Sequence, residues 1–300
     1  MEIQKNIGER VSHVMKRVSK HSKISKILVY SELLRTRNCV ITFLGVYLGV
    51  AVVLGTIPED AAIFIAASAA FLITGGGNAL NDYFDYEIDK INKPRRPIPS
   101  GRITKNDASM FGMALILIGI WMANSVNQYC LYLAILNSIM LVVYAIYSKK
   151  LLLVSNLCVS YMVGSVFLFG GLATGSIAGM DLLVILIACS FLMTLSREVI
   201  KDIEDIEGDK RRYAMTLPIN LGVEKSRNIA ISLALAAVAL SALPLIINLL
   251  KNPVDYAVFI AAADIIFAYA IFSLEPKDAQ KIMVLGMVIA IMAFFVGALA

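Results

Sequence analysis

Histidine is nearly absent from this 300-residue chain: there are two, His13 and His21, both in its polar first segment. That argues against histidine-based acid–base chemistry or a histidine-rich metal site. Cysteine is scarce and scattered. Cys39, Cys130, Cys158 and Cys189 lie singly inside apolar runs with no CxxC pair, so they read as small buried hydrophobes and not as a disulfide or zinc framework. Charge is thin as well. Asp, Glu, Lys and Arg make up 16% of the residues, against about a quarter in an ordinary soluble domain. Residues 1–37 also contain no apolar core of signal-peptide length, so no secretory leader is expected.

What fills the chain instead is hydrocarbon: 59% of residues are hydrophobic and the mean hydropathy is +0.77. Apolar runs stand at roughly 38–56, 61–81, 108–125, 129–148, 153–174, 180–200, 227–249, 255–274 and 282–299. Each approaches or meets the 17–25 or so residues needed to cross a bilayer as a helix, and the short alternating segments of a membrane barrel are missing. The expected fold is an all-α integral membrane protein with nine transmembrane helices in one bundle around a central cavity. Placing the N-terminus in the cytoplasm puts every Lys and Arg except Lys251 on the cytoplasmic side, as the positive-inside rule requires. Residues 1–37 read as a basic cytoplasmic segment. Ile3, Ile7, Val11, Val14, Met15 and Val18 follow helical spacing there, which fits an amphipathic helix on an anionic leaflet or a partly ordered tail. Residues 38–300 form the membrane domain. The implied setting is the cell membrane, multi-pass, with the lipid bilayer as partner and no nucleic acid; nothing in the residues fixes an oligomeric state.

Two polar stretches interrupt this pattern at the cytoplasmic ends of the second and sixth runs. One carries Asn81, Asp82, Asp85 and Asp89; the other carries Asp202, Asp205 and Asp209. The acids repeat at i, i+3 and i+7, which at about 100° per residue is one face of a helix. Carboxylates crowded on one face repel unless a cation sits among them. Hard oxygen donors facing each other across a pocket suit Mg²⁺, two or three ions of it, around one diphosphate. Asn78, one turn before Asn81, adds a further amide. Bases are interleaved with the acids: Lys93, Arg95, Arg96 and Arg102 after the first cluster, and Arg197, Lys201, Lys210, Arg211 and Arg212 around the second. Carboxylates would hold the metal, with Arg or Lys on the free phosphate oxygens. Gly75-Gly76-Gly77, just before the first cluster, reads as a close helix approach or as room for a ligand tail. Pro94, Pro97, Pro99 and Gly101 stop the helix and stiffen a segment over the site, a candidate lid. Asp264, a lone acid in the eighth run, is not assigned to the site.

These motifs resemble the UbiA superfamily of intramembrane prenyltransferases, which pairs an NDxxDxxxD motif after the second helix with a DxxxD motif after the sixth. Asn81–Asp89 fits the first and Asp205 with Asp209 the second, with Asp202 extending it. The resemblance runs from Arg37-Asn38 to the last apolar run. Within the superfamily, the segment Asn92–Gly101, Arg197-Glu198 and Lys201–Asp205 are similar to archaeal digeranylgeranylglyceryl phosphate synthases. The resemblance implies Mg²⁺-dependent transfer of a geranylgeranyl group from its diphosphate to geranylgeranylglyceryl phosphate, or, in the alternative, prenylation of an aromatic acceptor in a quinone or tetrapyrrole pathway. The partners are then an isoprenyl diphosphate donor and a lipid acceptor. Asp82, Asp85, Asp202, Asp205 and Lys201 are implied as catalytic. The six aspartates are implied as metal ligands. Asn78, Asn81, Arg37, Asn38, Arg95, Arg96, Arg197 and one of Lys149 and Lys150 are implied as substrate-binding.

Three rivals fit less well. A CDP-alcohol phosphotransferase would carry one dense aspartate motif with DGxxAR, which is missing. A cation transporter would place its carboxylates near the bilayer midplane in interrupted helices. A non-catalytic scaffold has no reason to repeat the acid spacing.

Overall fold

A computed structural model describes residues 26–147, 153–211 and 215–299, and all regular structure in them is helical. The amphipathic pattern from Ile3 to Val18 lies outside the described residues, as do Lys149 and Lys150. In chain order the helices are α1 (residues 26–34), α2 (Thr36–Leu54), α3 (Ala61–Phe84), α4 (Tyr86–Asn92), α5 (Lys105–Val126), α6 (Gln128–Tyr147) and α7 (Val154–Ala173). There follow α8 (Met180–Glu204), α9 (Ile206–Arg211), α10 (Leu217–Leu221), α11 (Val223–Ser241), α12 (Leu243–Ile246), α13 (Pro253–Ser273) and α14 (Pro276–Ala298). Among the described residues nine helices are long and apolar enough to cross a membrane, α11 and α12 counting as one. In hydrocarbon every backbone group must be satisfied within its own segment, and a helix does this.

Polar residues at the ends set where each helix begins. Asp60 accepts from the Ala62 amide at 2.7 Å, and Thr104 accepts from the Asp107 amide at 3.1 Å. Pro253 and Pro276 open α13 and α14, where a missing N–H costs nothing. Pro276 explains why the ninth helix starts before the apolar run at 282. Similarly α3 and α8 continue past residues 81 and 200, because hydropathy marks the edge of the hydrocarbon and not the end of the hydrogen-bond ladder.

One core is shared by α2, α3, α5, α6 and α7, with Val46, Ile73, Leu133 and Phe169 at its centre. A second joins α8, α11, α13 and α14 through Val199, Ala234, Phe267 and Met283. A third, including Val52, Leu186, Tyr256 and Phe294, ties the two halves across α2, α7, α8, α13 and α14. The glycine run on α3 serves packing: a Cβ on Gly76 would stand 2.6 Å from the Gly112 carbonyl oxygen of α5. All four cysteines are free, and Cys39, Cys130 and Cys158 are buried.

At the end of the bundle that carries the aspartates, α1 docks on the stem of the α4–α5 connection. Val29 and Leu33 are buried against Ile98, Ile103 and Ala108. Glu32 and Arg102 close the contact with paired bonds of 2.6 and 3.0 Å.

Candidate active site

Both aspartate clusters straddle a helix break, and the break falls at the same place in each. α3 ends at Phe84 and α4 resumes at Tyr86, with Asp85 between them at φ −80°, ψ 1°. α8 ends at Glu204 and α9 resumes at Ile206, with Asp205 between them at φ −85°, ψ 2°. The acids therefore do not lie on one straight helical face, as their spacing predicts. Their amides still reach back four residues, Asp85 to Asn81 at 2.9 Å and Asp205 to Lys201 at 2.9 Å, so the hydrogen-bond ladder runs right up to each break.

In the first cluster Asp82 and Asp89 are buried and Asp85 half-buried. The cation among them is guanidinium. Arg35 meets Asp82 at 2.6 Å, and one Arg96 nitrogen meets Asp82 at 3.0 Å and Asp89 at 2.5 Å. Arg35 sits between α1 and α2 at φ 51°, ψ 60°, a left-handed conformation that disfavours a residue with a Cβ. Asn81 donates to Asp85 at 3.1 Å, and Asn78 spends its amide on the Leu34 carbonyl at 2.8 Å. Lys93, on the segment after α4, is held below the ordinary lysine range by partial loss of hydration and by its neighbours Arg96 and Arg35.

The second cluster is more open. Asp205 is exposed, and Asp202 and Asp209 are half-buried. Asp202 accepts from Asn156 of α7 at 2.7 Å. Lys201 approaches Glu198 at 3.4 Å. Tyr144 of α6 lies within electrostatic reach of both clusters, feeling Lys201 and Glu198 from one and Asp85 and Arg35 from the other. Among the described residues no three acidic, cysteine or histidine side chains converge closely enough to hold one metal ion.

Other expected residues stand apart. Arg37 and Asn38 are exposed at the start of α2, and Arg35 reaches the acids instead. Arg95 is exposed while its neighbour Arg96 turns inward. Arg197 binds Glu198 at 2.6 Å and Gln280 of α14 at 3.0 Å, so it joins two helices.

This architecture has close counterparts. The sequence pattern of the UbiA prenyltransferase family matches residues 40–297. The chain belongs to the UbiA family. Like its family it is a multi-pass membrane prenyltransferase. It is 39% identical over 282 residues to the digeranylgeranylglyceryl phosphate synthase of Methanococcoides burtonii, covering 90% of this chain and 99% of that one. With the synthase of the same name from Methanothrix thermoacetophila it shares 40% over 269 residues, 89% of this chain and 97% of that one. A solved structure of digeranylgeranylglyceryl phosphate synthase superposes with a TM-score of 0.82 at 37% identity, covering 91% of this chain and 98% of the other. A UbiA homologue from Archaeoglobus fulgidus bound to GPP and Mg²⁺ shares the fold, with a TM-score of 0.69 at 16% identity over 89% of this chain and 98% of that one.

Against that family background, the site residues that the sequence motifs did not bring forward are Asn156 and Tyr144. Asn156 carried a signal of sorts, being a polar group near the end of an apolar run that has to find a partner. Tyr144 carried none, because tyrosine is common where a helix nears the membrane surface.

Proposed function

We propose that this UbiA enzyme transfers the geranylgeranyl group of geranylgeranyl diphosphate, with Mg²⁺, to the free hydroxyl of geranylgeranylglyceryl phosphate. The product carries the second ether bond of an archaeal membrane lipid. The observation that carries the reading is the matched pair of aspartate clusters, each at the same break in a helix, with arginines lodged among the acids of the first. Such a surface suits a polyanion that arrives with its own metal. The donor set fits Mg²⁺ in kind: all six side chains are hard carboxylates, and two of them lie close enough to share one guanidinium nitrogen. Asp82, Asp85 and Asp89 would hold the metal on one side and Asp202, Asp205 and Asp209 on the other. Mg²⁺ bound there would neutralise the diphosphate and make it a better leaving group.

The chain's own residues do the rest. Arg35 and Arg96 exchange carboxylate oxygens for phosphate oxygens as the diphosphate enters, with Lys93 beside them adding its charge, and Lys201 does so from Glu198 near the second cluster. The allylic C–O bond breaks, the acceptor hydroxyl forms the ether bond, and its proton is released. Apolar helix walls keep water from the carbocation. Arg37 and Arg95, exposed at the same end, are available to the acceptor's own phosphate. The distribution of Lys and Arg supports a cytoplasmic site in the cell membrane, with the N-terminus on that side.

The lipid acceptor is supported by the names of relatives near 40% identity. Purified enzyme given geranylgeranyl diphosphate with either the lipid or an aromatic acceptor tests the assignment. Turnover of the aromatic acceptor alone would overturn it. Asp82→Ala and Asp205→Ala are expected to abolish transfer while the protein still inserts and folds; activity retained in both would remove them from the site.

A further inference from the structure

Three charged side chains crowd the last turns of α8: Arg197, Glu198 and Lys201. Glu198 is the buried one, only 8% exposed. Its two oxygens serve different cations. One accepts from Arg197 at 2.6 Å, and the other faces the Lys201 ammonium at 3.4 Å. A buried carboxylate requires a compensating charge. The cation that holds it firmly therefore leaves the other loosely held, and here the firm one is Arg197.

What settles that division stands on another helix. Gln280, in the second turn of α14, grips the Arg197 guanidinium at two points. Nε donates to the Gln280 backbone carbonyl at 3.2 Å, and Nη2 donates to its side-chain oxygen at 3.0 Å. That leaves Nη1 for Glu198. A planar fork bonded through all three nitrogens is fixed in orientation. The Gln280 amide nitrogen also donates to Glu204 at 3.3 Å, at the end of α8. One neutral side chain thus reaches α8 at positions 197 and 204, about 10 Å apart along the axis, with Lys201 between them. Its neutrality matters, because a carboxylate at this position would compete with Glu198 for the guanidinium.

From this arrangement we infer that Gln280 is a positioning residue for prenyl transfer and acts through Lys201. By pinning Arg197 against Glu198 it keeps the buried carboxylate compensated. Lys201, next to Asp202 in the chain, is then free to turn to the diphosphate. Without Gln280 the half-buried guanidinium gains rotational freedom, and Glu198 draws on Lys201 in its place. The ammonium is then spent on a protein acid and no longer meets the incoming phosphate oxygens. The inference rests on the prenyl-transfer reading and adds to it a residue of the last helix, outside both aspartate clusters.

Gln280→Met keeps the length of the side chain and removes both of its polar atoms. With geranylgeranyl diphosphate as donor, kcat/KM for the donor should fall about tenfold or more, while KM for the acceptor stays unchanged. The deciding comparison is made in a Lys201→Met background. There Gln280→Met should cost nothing further, because the group it acts through is gone. A residue that merely held α14 on α8 would add its loss in full. Arg197→Lys approaches the same clamp from the other side: it keeps the charge but cannot span Gln280 and Glu198 together. It should reproduce the loss, again only while Lys201 is present. Calorimetric affinity for pyrophosphate with Mg²⁺ supplies a readout without turnover. It should weaken about tenfold in Gln280→Met and show the same dependence on Lys201. Losses that multiply in the Lys201→Met background, or unchanged donor kinetics and pyrophosphate affinity in Gln280→Met, would overturn the inference. Absence of transfer by the unmodified protein with every acceptor would reject the prenyl-transfer reading, and the pyrophosphate measurement would still judge Gln280.

Discussion

Arg96 offers the sharpest perturbation. Asp82 and Asp89 accept from the same Arg96 nitrogen at 3.0 and 2.5 Å, so their oxygens stand no more than about 5.5 Å apart. Two unit charges at that distance repel by about 3 kcal/mol at an effective dielectric near 20. Arg96→Gln keeps much of the length and removes the charge. Arg35 still neutralises Asp82, so the cost should fall somewhat short of the full repulsion, at about 2 kcal/mol in EDTA. A divalent ion can then take up the charge, and in the unmodified protein it must first displace the guanidinium. Mg²⁺ should therefore raise the melting temperature of Arg96→Gln more than that of the unmodified protein. A thiol-reactive dye reads the transition, because Cys39, Cys130 and Cys158 are buried until the bundle opens. Equal Mg²⁺ responses, or an Arg96→Gln protein as stable as the parent in EDTA, would refute the idea that this arginine stands in for the metal.

Other substitutions separate the roles of neighbouring residues. Asn156→Ala removes the 2.7 Å bond to Asp202 and should lower transfer about 10- to 100-fold with little change in melting temperature; full activity would make the bond incidental. Gly76→Val drives a side chain into the Gly112 carbonyl and should cost about 1–3 kcal/mol without altering the Mg²⁺ response. A normal melting temperature would mean that α3 and α5 can part freely. Lys93 is held below its ordinary value of 10.5 by lost hydration and by Arg96 and Arg35, so charging it weakens the fold at neutral pH and the penalty fades as pH rises through that value. Lys93→Gln should thus melt slightly higher at pH 7 and match the parent above about pH 10.5; a gain independent of pH would contradict this. Asp202→Asn should blunt the Mg²⁺ response more than Asp82→Asn, and the reverse ranking would count against the order of binding argued below.

The spans were legible because a bilayer forces apolar runs of fixed length, and the aspartates because their spacing recurs. The breaks at Asp85 and Asp205 were not. Neither position is Gly or Pro, and the same spacing fits an unbroken helix. Arg35 and Arg37 both looked available to a substrate phosphate, yet Arg35 turns to Asp82 and Arg37 stays exposed. The left-handed backbone of Arg35 lies between α2 and an α1 that docks on Ile98 and Ile103, more than sixty positions away. Arg197 and Lys201 are one turn apart, which predicts a shared role. The structure gives Arg197 to Gln280 across the bundle, a partner no local pattern reveals.

The second cluster follows the first at one constant offset, and its break falls at the same residue, so the two are copies of one device. Their surroundings differ in a way that orders events. Asp82 and Asp89 are buried and already compensated by arginine, so a metal arriving there must displace a bound cation and take up the cost of its release. Asp202 is held by a neutral amide and Asp205 faces solvent, so a hydrated Mg²⁺ could approach these two carboxylates without displacing an arginine. Binding should begin at the second cluster. On the proposed reaction the diphosphate would then carry enough negative charge to draw Arg35 and Arg96 off the aspartates, which would free the first cluster once substrate is present. The protein thus keeps Asp82 and Asp89 neutralised by arginine, and on the proposed reaction it would complete the metal site only when there is a leaving group to activate.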